Sequence, residues 1–320
     1  MKKMSRETVF IFVCLLAALT ACKKDLSEVK LMMEGDPVIE IDDYVSVGSE
    51  WTLQAGGVKL PVDDIGYYWT IDGLVDDNDT TDVFSFRFPD TSGIYKITCT
   101  AFHPEYYNNP TTKSVTVLGT AYNASLKLGG IDIAGIFKDE RDGREYRFVS
   151  IGGLDCFISN LAYRGYGKPY KGSDVMWSMM GGYYTYEEVL SGDICPQGWR
   201  VPSENDWDVL AGTYAEAMDG RVFLGAAPHL MAPATLNDEK LWSYSPDNEP
   251  VNDSGFSALP TGYFSNDAFV GFNEYAVFWS ADPSGEKGIY HYIYYDEPDL
   301  RTAAISGDFR ASVRCVRDRN

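Results

Sequence analysis

Histidine is scarce in this 320-residue chain: there are three, His103, His229 and His291, far apart in the sequence. With no His-Glu-x-x-His pair and no His/Cys cluster, the usual ligand sets of a zinc site are missing. Positive charge is thin as well. The 27 Lys and Arg stand against 47 Asp and Glu, a formal net charge of −20. Nucleic acid and anionic membrane surfaces call for clustered cations, so both are poor partners for this chain. There is no phosphate-cradling glycine loop and no Gly-x-Ser-x-Gly elbow. Carboxylates are plentiful, yet nothing singles out two of them as a glycosidase pair. Cations and neutral ligands stay open, beside the plainer reading of a solvated acidic surface.

Aromatic residues are abundant, at 14% with 22 Tyr, which favours a β-rich, loop-rich chain that displays aromatics. One long apolar run stands out, from Val9 to Ala21 behind the basic Met1-Lys-Lys-Met-Ser-Arg6. It is too short to span a bilayer and right for the core of a signal peptide. It ends in Leu19-Thr-Ala-Cys22, which resembles the bacterial lipobox. That resemblance implies cleavage before Cys22, acylation of its thiol, and a lipid-tethered but otherwise soluble protein whose residues 22–35 form a short charged tether.

From residue 36 to 118, short alternating runs are separated by turn signals about every ten residues. The clearest are Tyr67-Tyr-Trp-Thr-Ile71, Phe84-Ser-Phe-Arg-Phe88 and Gly93-Ile-Tyr-Lys-Ile-Thr-Cys99. The pattern resembles the immunoglobulin-like and PKD-like sandwiches of bacterial surface proteins, with Trp69 on a central strand and Tyr95 where a tyrosine corner belongs. Such domains act as spacers. Cys99 has no partner cysteine within this segment and reads as a buried thiol. The acidic turn from Asp76 to Asp82 reads as a solvated loop, with calcium as the alternative.

The chain is organised around Cys195-Pro-Gln-Gly-Trp199-Arg-Val-Pro-Ser203, a tight turn, a short strand and a helix start. Ser203 and Asp206 form an approximate capping box, and Trp207, Leu210, Tyr214 and Met218 recur at helical spacing up to Asp219-Gly220. Trp199 and Trp207 are read as core rather than ligand-stacking rings. Further on stand Gly255-Phe-Ser-Ala-Leu-Pro260, Phe278-Trp-Ser280 and Val313-Arg-Cys315. In this order the segments resemble the Fibrobacter succinogenes major paralogous domain family (FISUMP) over about 140–318. The resemblance implies an α+β domain related to C-type-lectin-like folds, found in surface lipoproteins of Bacteroidetes-type bacteria. It also implies a Cys195–Cys315 disulfide, worth roughly 4–5 kcal/mol on the chain-entropy model. Cys156-Phe157 replaces a Trp common in the family, and Phe157 is expected to fill the same pocket. A bond between Cys156 and Cys99 is left open.

The expected architecture is therefore multidomain: a signal peptide 1–21, the tether 22–35, an all-β immunoglobulin/PKD-like sandwich 36–118, a linker with a first strand 119–139, and an α+β C-type-lectin-like domain 140–320. The ligand candidates are Trp242, Tyr244, Asp247, Glu249, Asn252 and Asp253, where carboxylates and amides sit beside aromatics. Calcium-dependent lectins hold sugars in this way, although Glu249-Pro250 is followed by Val251 where that motif has Asn. A hydrogen-bonded structural loop is the competing reading. Outward members of Tyr290-His-Tyr-Ile-Tyr-Tyr295 are a further, slighter candidate for a binding face. No catalytic residue and no resident cofactor is expected, calcium being the one ion the acidic loops admit. The expected role is a lipid-anchored outer-membrane protein, exposed at the cell surface, that acts as a binding or adhesion module for glycan or protein without catalysis. The alternatives are a structural part of a surface assembly such as a fimbrial tip, and, third, a polysaccharide-active enzyme.

Overall fold

The computed structural model describes residues 29–76, 80–119 and 125–319. The protein is β-rich, with several small sheets and short helices, and divides into two compact units. Among the described residues no helix is long and apolar enough to cross a membrane. Cys22 and the segments before it lie outside the described residues, as do residues 77–79 of the acidic turn.

Among the described residues, the first unit comprises 29–40, 52–76, 80–84 and 96–113. Alternation decides its core. In the strand Gly66–Ile71, Tyr67, Trp69 and Ile71 are buried while the residues between them are partly exposed. Trp69 faces Cys99 across an antiparallel pairing and stacks on Phe84 at 5.5 Å. Cys99 is free, and burial pushes its thiol up to about 12, so it stays a protonated, apolar filler.

The second unit holds the remaining described residues, including 114–119 and 125–319. A five-stranded sheet runs in the order Ala217–Asp219, Val222–Leu224, Leu300–Ile305, Lys287–Tyr294, Tyr275–Ser284. A second sheet orders Val316–Asp318, Leu154–Phe157, Glu145–Ile151 and Gly135–Lys138, all antiparallel. A third joins Tyr184–Thr185, Arg310–Ala311, Tyr263–Ser265 and Ala268–Val270. Leu126 and Leu128, in the Gly- and Ala-rich stretch, are buried in this unit.

The three sequence motifs meet in its core. Cys195 and Cys315 are bonded, 120 residues apart with Cα atoms at 5.9 Å, as the family resemblance implied. Between Val313 and Cys315, the fully buried Arg314 donates to Asn160 Oδ1 at 2.8 Å, Phe157 O at 3.0 Å, Ser257 O at 2.7 Å and Phe256 O. Its guanidinium also lies 4.8 Å from the Phe256 ring centroid. Trp199 is core as expected, packed 4.1 Å from Phe157, which in turn stacks on Tyr146 at 4.5 Å. Cys156 is buried and free, so no bond links it to Cys99.

The helix Glu204–Leu210 starts as the sequence implies. Ser203 Oγ accepts from Asp206 N, and Asp206 Oδ2 accepts from Ser203 N, a complete capping box. Its far end is a correction. The helix stops at Leu210, and Met218 is 50% exposed on the strand Ala217–Asp219. That strand turns at Gly220, whose φ of 62° a glycine adopts without strain, and pairs with Val222–Leu224. Pairing against the central sheet outweighs a fortuitous helical spacing.

Under this helix His291 is buried. Its Nε2 lies 2.9 Å from Glu204 Oε1, its Nδ1 3.0 Å from Thr302 Oγ1, and its ring stacks on Trp207 at 4.5 Å. Burial pushes the imidazole below its ordinary value, against the pull of Glu204. For Glu204 burial acts upward, but the bonds from His291 and Ser280 outweigh it and hold the carboxyl low.

Two predictions follow from this core. Arg314→Lys leaves several of the four acceptors without a planar fork to serve them, and it is expected to lower unfolding stability by about 3 kcal/mol in urea titration. The second concerns pH. With His291 lowered in the folded state, the unfolded chain takes up its proton first as pH falls below about 6.5. Stability is thus full above that pH and declines below it, Glu204 adding to the loss at more acid pH. Thermal melts between pH 8 and 5 check this, and His291→Gln is expected to flatten the upper part of the decline.

Candidate functional site

The loop carrying the sequence-predicted ligand residues divides in two. Trp242, Tyr244 and Glu249 line one cavity of about 230 Å³, together with Thr235, Lys240 and Asn248. Trp242 is buried and Tyr244 is 76% exposed. Asp247 is exposed, and its N–H donates to Ser245 Oγ at 3.3 Å. Asn252 and Asp253 are directed elsewhere. Asn252, at φ 57°, accepts from Ser257 N at 2.9 Å and donates to Ser257 Oγ at 3.0 Å, so its amide pins the Gly255–Pro260 motif. Asp253 Oδ1 lies 2.8 Å from His229 Nδ1. Among the described residues no group of three or more His, Cys, Asp or Glu is placed to hold a metal ion. For Asn252 the hydrogen-bonded structural reading fits the geometry.

A different concavity forms on the outer face of the central sheet. Along Lys287–Tyr294 the side chains alternate: Ile289, His291 and Ile293 are buried, while Tyr290, Tyr292 and Tyr294 are half-buried on the opposite face. Tyr275 and Val277 lie on that same outer face of the neighbouring strand, with Val277 directly across from Tyr292. Tyr263 and Phe309 complete the wall, brought in by the sheet that pairs Tyr263–Ser265 with Arg310–Ala311. Tyr263, Tyr275, Tyr290, Tyr292 and Phe309 line an open cavity of about 310 Å³, together with Ser265, Ile305 and the buried Val277.

Aromatic rings and hydroxyl groups share the lining of this bowl. Burial, followed by the neighbouring Tyr263, pushes the Tyr275 phenol up, and burial, followed by Tyr292, does the same for Tyr290. Both therefore remain protonated and neutral at physiological pH, able to donate and to accept. A ligand suited to it has C–H faces to lie on the rings and hydroxyls to meet the phenols. The alternation of Tyr290, Tyr292 and Tyr294 is visible in the sequence. Tyr263, Tyr275 and Phe309 come from three other segments, and no local signal ties them to the strand.

The model of the Fibrobacter succinogenes major domain matches residues 149–317, more than half of the chain. No curated protein matches it. Among solved structures, the chain is similar to SGBP-B of the Bacteroides ovatus mixed-linkage glucan utilization locus, in complex with a mixed-linkage heptasaccharide. Identity is 14% and the TM-score 0.20, with 41% of this chain and 42% of that chain covered. The chain thus spans less than half the length of that protein.

The division of the loop is testable by stability. Asn252→Ala removes two buried hydrogen bonds and places alanine at positive φ, and is expected to cost about 2–3 kcal/mol. Glu249→Ala, at an exposed cavity edge, is expected to stay within about 0.5 kcal/mol of the parent. Urea titrations of both variants decide between the two roles.

Proposed function

We propose that this chain, which belongs to the Fibrobacter succinogenes major domain family, binds neutral glycan without catalysis at the bacterial cell surface. The observation that carries the reading is the aromatic bowl formed by Tyr263, Tyr275, Tyr290, Tyr292 and Phe309. Four partly exposed tyrosine rings, backed by the buried Phe309, make an aromatic surface that a ligand with apolar faces would cover. Their neutral phenols suit hydroxyls, and the net charge of −20 disfavours anionic partners.

The rest of the assignment rests on the sequence. Acylation of Cys22 would tether the protein to the outer membrane, and the segment 36–118, as a sandwich spacer, would hold the family domain away from the lipid. The loop cavity at Trp242, Tyr244 and Glu249 is then a secondary contact area. A C-type-lectin-like ancestry fits a binding role, but the bowl uses aromatic faces where the calcium lectins use an ion.

Calorimetric titration of the detergent-solubilised chain with neutral gluco-, galacto- and mannoglycans tests this. At least one is expected to bind, and Tyr292→Ala is expected to weaken it about tenfold or more, about 1.4 kcal/mol. Binding that survives Tyr292→Ala and Tyr290→Ala together would remove the bowl from the mechanism. Silence toward every glycan, with a stable protein partner recovered by crosslinking, would favour the structural role in a surface assembly. Turnover of the glycan would favour an enzyme.

A further inference from the structure

We infer that Gly271 is a positioning residue of the bowl: the absence of a side chain there lets the Tyr275 ring lie against the turn and fixes its place in the lining. This rests on the glycan reading above. The turn Gly271-Phe-Asn-Glu274 leads into the strand Tyr275–Ser284. Gly271 O accepts from Tyr275 N at 2.9 Å and from Glu274 N at 3.0 Å, and Tyr275 O accepts from Gly262 N at 2.6 Å. The backbone of Tyr275 is thereby tied on both sides.

Its ring has little more freedom. A Cβ at Gly271 would stand 3.3 Å from both Cγ and Cε2 of Tyr275 and closer still to Cδ2. Carbon atoms rest at about 3.5–4.0 Å, so the two could not share this space. Cγ is the root of the ring, and no swing of a flexible tip relieves a contact there. The whole ring has to shift. Its centroid lies 4.6 Å from that of Tyr294, 5.8 Å from Tyr263 and 6.3 Å from Tyr292. Tyr263 and Tyr292 line the same cavity, so displacing Tyr275 changes the surface offered to a ligand. A ring already held in place also loses little freedom when a ligand covers it.

Glycine does two things at this position, and a second glycine separates them. Gly271 has φ 67°, and Gly285, in the turn of the hairpin that follows, has φ 65°. A side chain strains the backbone at either. At Gly285 a Cβ meets nothing within 4 Å, whereas at Gly271 it meets Tyr275.

The test uses the detergent-solubilised full chain, titrated calorimetrically with gluco-, galacto- and mannohexasaccharides. For the hexasaccharide that the parent binds, Gly271→Ala is expected to weaken affinity about tenfold or more, and Gly285→Ala to leave it within about twofold. Should Gly271→Ala fail to fold, Gly271→Asn carries the test. Asn tolerates this backbone, as Asn273 does at φ 73°, and still sets a Cβ against the ring. Tyr275→Ala is expected to weaken binding by a similar factor, and adding Gly271→Ala to it by no more than about a further twofold, since the ring is gone. A glycine that acts only on the turn would add its loss in full to Tyr275→Ala, and that result overturns the inference. Affinity within about twofold of the parent in a folded Gly271→Ala or Gly271→Asn chain, or in Tyr275→Ala, also overturns it. Each of these outcomes leaves glycan binding intact. No binding of any hexasaccharide by a parent chain with a normal unfolding transition removes the glycan reading, and the inference with it.

Discussion

A buried guanidinium holds the second unit together. Arg314 is fully removed from solvent, and a buried cation is tolerated only when its donors are met. Here the planar fork meets carbonyls of Phe157, Phe256 and Ser257 and the amide of Asn160, four points from two distant stretches of chain. The next residue, Cys315, is bonded to Cys195. Adjacent positions therefore tie the last strand to the Gly255–Pro260 motif, to the strand ending at Phe157, and to the turn that launches the capped helix. Asn252 serves the same junction from the other side through Ser257.

That junction sets the sheet that bears the bowl. Ser312 bridges to Phe278, and the hairpin of Tyr275–Ser284 with Lys287–Tyr294 extends from there. The hairpin has two faces with different duties. Phe278, His291 and Ile293 are driven into the core beneath the capped helix, where burial keeps His291 neutral against the pull of Glu204. Tyr275, Tyr290 and Tyr292 are thereby committed to the other face by the two-residue period of a strand. A slip of one residue would exchange the faces and put His291 among the phenols. The burial of Ile289, His291 and Ile293 on the inner face thus keeps the aromatic face aimed outward.

Much of this was written locally. The Ser203 cap, the alternation of the strands and the burial of Trp199 each follow from a few neighbouring residues. Where local patterns competed, tertiary pairing decided: Met218 fits a helical stripe, yet its segment is taken as a strand of the central sheet. The acidic and amide residues of 247–253 form one cluster in sequence but separate in space, because Asn252 and Asp253 are drawn to Ser257 and His229.

The sequence by itself determined the family, through the family resemblance the disulfide, and directly the capped helix and the net negative charge, since these rest on motifs, on a short-range hydrogen bond and on composition. Only the tertiary structure decided where ligands could go. The bowl needs Tyr263, Tyr275, Tyr290, Tyr292 and Phe309 from four separate segments. Their rings converge because two sheets are locked to one Arg314–Cys315 junction, a constraint of three-dimensional packing that leaves no periodic trace along the chain.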